Sequence, residues 1–143
     1  MPTVRPEASR QKEAAADETA IVATVLDYFE GWFQGDAGRM ERALHPQLAK
    51  RSLKGAAKPE EGGEGDSGQL DSLTAEEMIE ATARGVGTTR LPNGGDPQIQ
   101  VEVVDVYDTI AAVVVRSAVY REYLHLVRTS AGWKIANALW QRV

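Results

Sequence analysis

The sequence predicts an α+β fold in which three N-terminal helices pack on a strongly curved antiparallel β-sheet, and three observations carry that expectation. Apolar residues recur at helical three- and four-residue spacing only before Gly85, and strand-like runs fill the chain from Ile99 onward. The first of those runs switches parity at Val103-Val104, as a strand does where a bulge bends a sheet.

Composition bounds the function. A chain of 143 residues with net charge -5 suits one domain with a real core, and its 16 basic residues are scattered rather than striped, so nucleic acid is not an expected partner. The absence of cysteine removes disulfides, thiolate metal sites and cysteine nucleophiles and fits a reducing compartment. The stretch MPTVRPEASRQKEAAADE has no apolar centre and no later run is long and apolar enough to span a bilayer, so neither a secretion signal nor a membrane partner is expected and a cytoplasmic protein is.

Residues 1–16 are polar, hold two prolines and lack an apolar stripe, which reads as a disordered or loosely attached arm before a single domain at 17–143. Ile21, Val22, Val25, Leu26, Phe29, Trp32 and Phe33 form the stripe of a first helix that Gly35 ends. Tyr28 and Trp32 lie on one edge of it, where they can face either core or cavity. Asp36 can cap a short second helix through Met40, Ala43 and Leu44, with Pro46 as its stop. This leaves His45 at a helix end, in contact with terminal carbonyls or with a pocket.

Residues 48–53 alternate weakly as a short strand on which Lys50 and Arg51 read as solvent-facing. Residues 55–72, centred on GGEGDSG, read as a flexible insertion. Thr74 and Glu77 form a capping box, with Leu73 and Met78 as its hydrophobic staple, at the start of a third helix that runs to Gly85.

The β half contains Ile99–Tyr107, the doubly apolar run Ile110–Ser117, and a closing hairpin turning at Ser130-Ala131-Gly132. With Gly132 in the left-handed bulge position, Thr129 faces Trp133 and the pairs run Val127 with Ile135, His125 with Asn137 and Tyr123 with Leu139. A shorter turn would put His125 across from Ala136. The other face carries Leu124, Leu126, Ala136, Ala138 and Trp140.

DYFEGWFQGD at 27–36, LHP at 44–46, LTAEEM at 73–78, and YLHLV with GWKIANALW within 123–140 resemble the nuclear-transport-factor-2-like superfamily over residues 18–142, and within it the polyketide-cyclase-like and lumazine-binding groups. The resemblance implies a cone-shaped, cystatin-like roll with an apolar cavity under the helices and a homodimer made through the convex face. It suggests ligand-binding residues Tyr28, Trp32, His45, Met78, Tyr123, His125, Asn137 and Leu139, and a dimer interface of Leu124, Leu126, Ala136, Ala138 and Trp140. No cofactor or metal is implied.

Three functions fit. One is binding of a small apolar or aromatic ligand. Another is an isomerase, dehydratase or cyclase using His125 as acid or base with Tyr28 or Tyr123 as donor; against it, the expected cavity holds no carboxylate, since Glu122 is read as pointing away and Asp105 would enter only if the bulge turned it inward. The last is a non-catalytic dimeric accessory module, in which His125 and Asn137 are a satisfied polar pair.

Overall fold

A computed structural model describes residues 7–55, 68–91 and 94–143. In chain order these form helix α1 (Glu7–Gln34), α2 (Ala37–Ala43), strand β1 (Leu44–Leu53), β2 (Leu70–Leu73), α3 (Ala75–Ala83), a 3-10 turn at Gly87–Thr89, and strands β3 (Gln100–Tyr107), β4 (Ile110–Arg116), β5 (Tyr120–Thr129) and β6 (Gly132–Arg142). The strands make one sheet in the order β2-β1-β6-β5-β4-β3. Every neighbouring pair is antiparallel except β1 and β6, which run parallel, so the sheet is mixed rather than purely antiparallel. The three helices cover one face of this curled sheet and bury Ile21, Val25, Phe29, Met40, Leu124, Leu126 and Ile135 against it.

Helix α1 starts at Glu7, well before the Asp17 boundary expected from the apolar stripe. The stretch from Glu7 is rich in Ala, Glu, Gln and Lys, which favour helix without a packed face, and it stays almost wholly exposed. At the other end Gly35 adopts φ +71 and Asp36 N donates to the Gly31 carbonyl at 2.8 Å, closing a Schellman-type stop. Arg39 of α2 then reaches back to Asp27 at 2.9 Å and Glu30 at 2.7 Å and fixes the two helices against each other.

The second helix ends one residue sooner than expected, and His45 belongs to β1 rather than to a helix end. Pro46 sits within the irregular start of β1, where its register with β6 shifts between Leu44 and Ala49, so its missing amide interrupts no ladder bond. Of the expected insertion at 55–72, residues 56–67 lie outside the described residues, and its last part pairs as β2 with Lys50–Leu53. The Thr74–Glu77 capping box forms in both directions.

The bulge expected at Val103-Val104 is present: Val103 pairs with Val113 and Asp105 with Ala112, leaving Val104 extra. The hairpin register contains two offsets that cancel. Thr129 pairs with Gly132 rather than Trp133, and Leu126 rather than Val127 pairs with Ile135. That shorter turn alone would have moved His125 onto Ala136, but Ala136 is bulged out of the ladder, which restores His125 opposite Asn137 and Tyr123 opposite Leu139.

Among the described residues no helix is long and apolar enough to cross a membrane.

Candidate functional site

The pairs His125 with Asn137 and Tyr123 with Leu139 match expectation, yet the hairpin's two faces are exchanged. Leu124, Leu126, Ala138 and Trp140, expected on the convex face, lie on the concave face under the helices, where the first three are buried. Ala136, expected with them, is the bulged residue. Tyr123, His125, Asn137 and Leu139, expected inside, are on the convex face, with Tyr123 50% and Leu139 52% exposed. Strand pairing fixes which residues share a face, but the side that receives the helices is decided by total apolar volume. Here the row Tyr120, Leu124, Leu126, Trp133, Ile135 outweighs the row with the histidine.

The same exchange carries Glu122 inward, opposite to expectation, and leaves it 1% exposed. Lys50, expected in solvent, is 7% exposed, because β1 directs Leu48, Lys50 and Ser52 inward together; Arg51 does face solvent. Strands β1 and β5 flank β6, with Lys50 level with Ala138 and Glu122 level with Trp140. The two side chains therefore meet above β6, where Ala138 is small enough to leave room for them.

Tyr28 of α1 comes down on this pair. Its hydroxyl donates to Glu122 Oε2 at 2.5 Å, Lys50 Nζ donates to the Tyr28 hydroxyl oxygen, and Nζ lies 3.3 Å from Glu122 Oε2. The ammonium also sits 4.9 Å from the Tyr28 ring centroid and 5.1 Å from that of Trp140, within cation–π range of both. A second polar link closes the wall beside it, Trp32 Nε1 donating to the Tyr120 hydroxyl at 3.1 Å. Tyr28, Phe29, Trp32, Lys50, Met78, Tyr120, Glu122 and Trp140 surround a free space of about 40 Å³.

Burial shapes the ionisation of this cluster. Loss of water raises the Tyr28 phenol well above its ordinary range, and the Glu122 charge beside it acts in the same direction. Loss of water lowers Lys50 from its ordinary value, opposed by Glu122. A phenol whose folded pKa exceeds its unfolded value near 10.0 contributes stability that is intact below that pH and is lost as pH rises toward the folded value. Lys50, with its folded pKa below 10.5, works the other way: its cost fades as pH approaches 10.5 and changes no further above it. Stability against urea is therefore expected to fall with pH above 10.5, and Tyr28→Phe is expected to make that fall shallower, leaving the part due to Tyr120, whose phenol burial also raises; an equally steep decline in the variant would remove Tyr28 as a source.

The remaining expected site residues do not join this cluster. His45 lines a separate groove with Leu44, Pro46, Ile79 and Lys134, and its Nδ1 accepts from Gln47 N at 3.0 Å. His125 Nδ1 lies 3.5 Å from Asn137 Nδ2 in an open groove of about 410 Å³ that also holds Asp105, Tyr107 and Ile110. The bulge does bring Asp105 to the histidine's side, but that side is convex, so His125 and Tyr28 cannot act on one substrate molecule in the interior. Tyr28, Trp32 and Met78 line the interior space. Lys50 and Glu122 were missed, although a charged residue in the more apolar row of β5 was a readable signal.

The fold is that of a nuclear-transport-factor-2-like protein, helices closed over the concave face of a bent sheet. The chain belongs to the family described as "Putative lumazine-binding", whose model matches residues 16–141. No curated protein matches it. Among solved structures it is similar to a nuclear-transport-factor-2-like protein of unknown function from Silicibacter pomeroyi, at 18% identity and TM-score 0.63 over 93% of this chain and 98% of that one. It is also similar to a domain of unknown function with a cystatin-like fold from Nostoc punctiforme, at 17% identity and TM-score 0.57 over 90% of this chain and 78% of that one. A de novo designed protein with a curved β-sheet matches at 10% identity and TM-score 0.54 over 88% and 97%. These likenesses establish the fold and carry no activity with it.

Proposed function

We propose that the protein binds a small molecule between the helices and the concave sheet, with Tyr28, Lys50 and Glu122 at the floor of the site and Trp32, Met78, Tyr120 and Trp140 as its walls. The observation that carries this reading is a buried carboxylate, ammonium and phenol, supplied by three different elements, bordering free space in a largely apolar interior. Desolvating an ion pair costs several kcal/mol per ion, and apolar side chains of similar volume would close the same fold at least as well, so such a cluster favours a role beyond packing. The family description supports ligand binding in general. The free space of about 40 Å³ is smaller than the roughly 150 Å³ that accommodates benzene, so a bicycle such as lumazine enters only if Trp32 or Trp140 moves, and a compact ligand is favoured.

Trp32 and Trp140 border the site and Trp133 does not. In a Trp133→Phe background, titration with a panel of compact polar compounds is expected to give a saturable change in tryptophan fluorescence, absent when Lys50→Met and Glu122→Leu are combined. A response that survives the double substitution unchanged would place binding elsewhere.

A homodimer through the convex face is a second proposal, supported by the concentration there of Tyr107, Ile110, Tyr123 and Leu139, all at least half exposed. Its residues are these, not the buried Leu124 and Leu126. Tyr123→Glu with Leu139→Glu is expected to halve the mass measured by light scattering, and an unchanged mass would refute pairing through this face. A cytoplasmic location, consistent with the absence of cysteine, belongs to the same reading.

A further inference from the structure

Lys50 differs from an ordinary buried ion-pair lysine in what it is connected to. Its Nζ donates to the Tyr28 hydroxyl, which in turn donates to Glu122 Oε2, so a proton can pass from ammonium to carboxylate along two hydrogen bonds without solvent. That shift produces a neutral amine beside a neutral carboxylic acid, a nucleophile and a general acid bordering the same small space. The surroundings also suit a cation that stays at Nζ: the carboxylate at 3.3 Å and the Tyr28 and Trp140 rings at 4.9 and 5.1 Å would hold an iminium as they hold the ammonium.

We propose that Lys50 condenses with small aldehydes or ketones to form an iminium held against Glu122, which rests on the interior being a ligand site and names the class of compound that enters it. The amine attacks the carbonyl carbon as the C–O double bond opens, and the carbonyl oxygen takes a proton from the Glu122 acid, giving a carbinolamine. The amine proton returns to Glu122 through Tyr28. Glu122 then protonates the hydroxyl, which leaves as water as the nitrogen lone pair forms the C–N double bond. The sum is ammonium plus carbonyl giving iminium plus water, with Glu122 ionised at both ends and no oxidant or reductant consumed. A free space of about 40 Å³ limits the partner to a few non-hydrogen atoms.

The test uses the full chain with acetaldehyde and cyanoborohydride, which reduces an iminium to a stable secondary amine, followed by peptide mapping. Lys50 is expected to be alkylated before the exposed Lys12 and Lys54 despite its burial, and benzaldehyde, too large for the space, is expected not to compete. Glu122→Gln and Tyr28→Phe are each expected to slow labelling of Lys50 about 100-fold, the usual size of a lost acid–base partner, with surface labelling unchanged. Lys50 labelled last in the native protein, or at the same rate in both variants, would overturn the proposal, and the first of these outcomes does not depend on the variants folding. If Lys50 stays unlabelled while compact compounds still give the saturable tryptophan response, the covalent step fails and the binding site stands; if both are absent, both fail.

Discussion

Glu122→Ala is expected to lower the free energy of unfolding by about 3–5 kcal/mol, the usual result of leaving one buried charge without its partner. The variant would leave Lys50, only 7% exposed, without its counter-charge and would remove the acceptor of the Tyr28 hydroxyl. Combining Lys50→Met with Glu122→Leu is expected to recover most of that loss, because apolar side chains of similar volume incur no desolvation penalty for ions. Urea denaturation of the two variants checks both statements. A single-variant loss below about 1 kcal/mol, the range of solvated surface pairs, would mean that water reaches this pair in solution.

Gly87→Ala is expected to cost about 3 kcal/mol, at the upper end of the usual overpacking range. A Cβ there would lie 2.2 Å from the Trp32 carbonyl oxygen and 2.7 Å from its indole ring, and backbone on one side leaves little that can yield. Displacing Trp32 also breaks its bond to the Tyr120 hydroxyl, so the effect should reach the site. Urea denaturation gives the stability and the Trp32 indole N–H resonance gives the local change; full stability with an unshifted resonance would show that the Gly87–Thr89 turn does not press on α1 in solution.

Much of the fold was legible because local chemistry decided it. The Thr74–Glu77 box, the Gly35 stop and the parity switch at Val103-Val104 are each set by a few neighbouring residues, and each is found in place. What was not legible depends on segments far apart in the chain meeting. The parallel pairing of β1 with β6 has no local signature, and without it Lys50 on a weakly alternating strand reads as a solvated lysine. The hairpin shows the limit most clearly. His125 faces Asn137 as the pattern predicts, through a shorter turn and a bulge that offset each other, but pairing alone does not say which face the helices cover. Pairing without face predicts His125 in the interior and Glu122 outside it, whereas the face that the helices cover holds the carboxylate.

The most direct test of the interior as a ligand site is native mass spectrometry of the protein as isolated from cells, comparing the unaltered chain with the Lys50→Met, Glu122→Leu double variant. A small bound mass is expected on the first and not on the second, with both folded. The same bound mass on both chains, or on neither, would contradict a site built on Tyr28, Lys50 and Glu122.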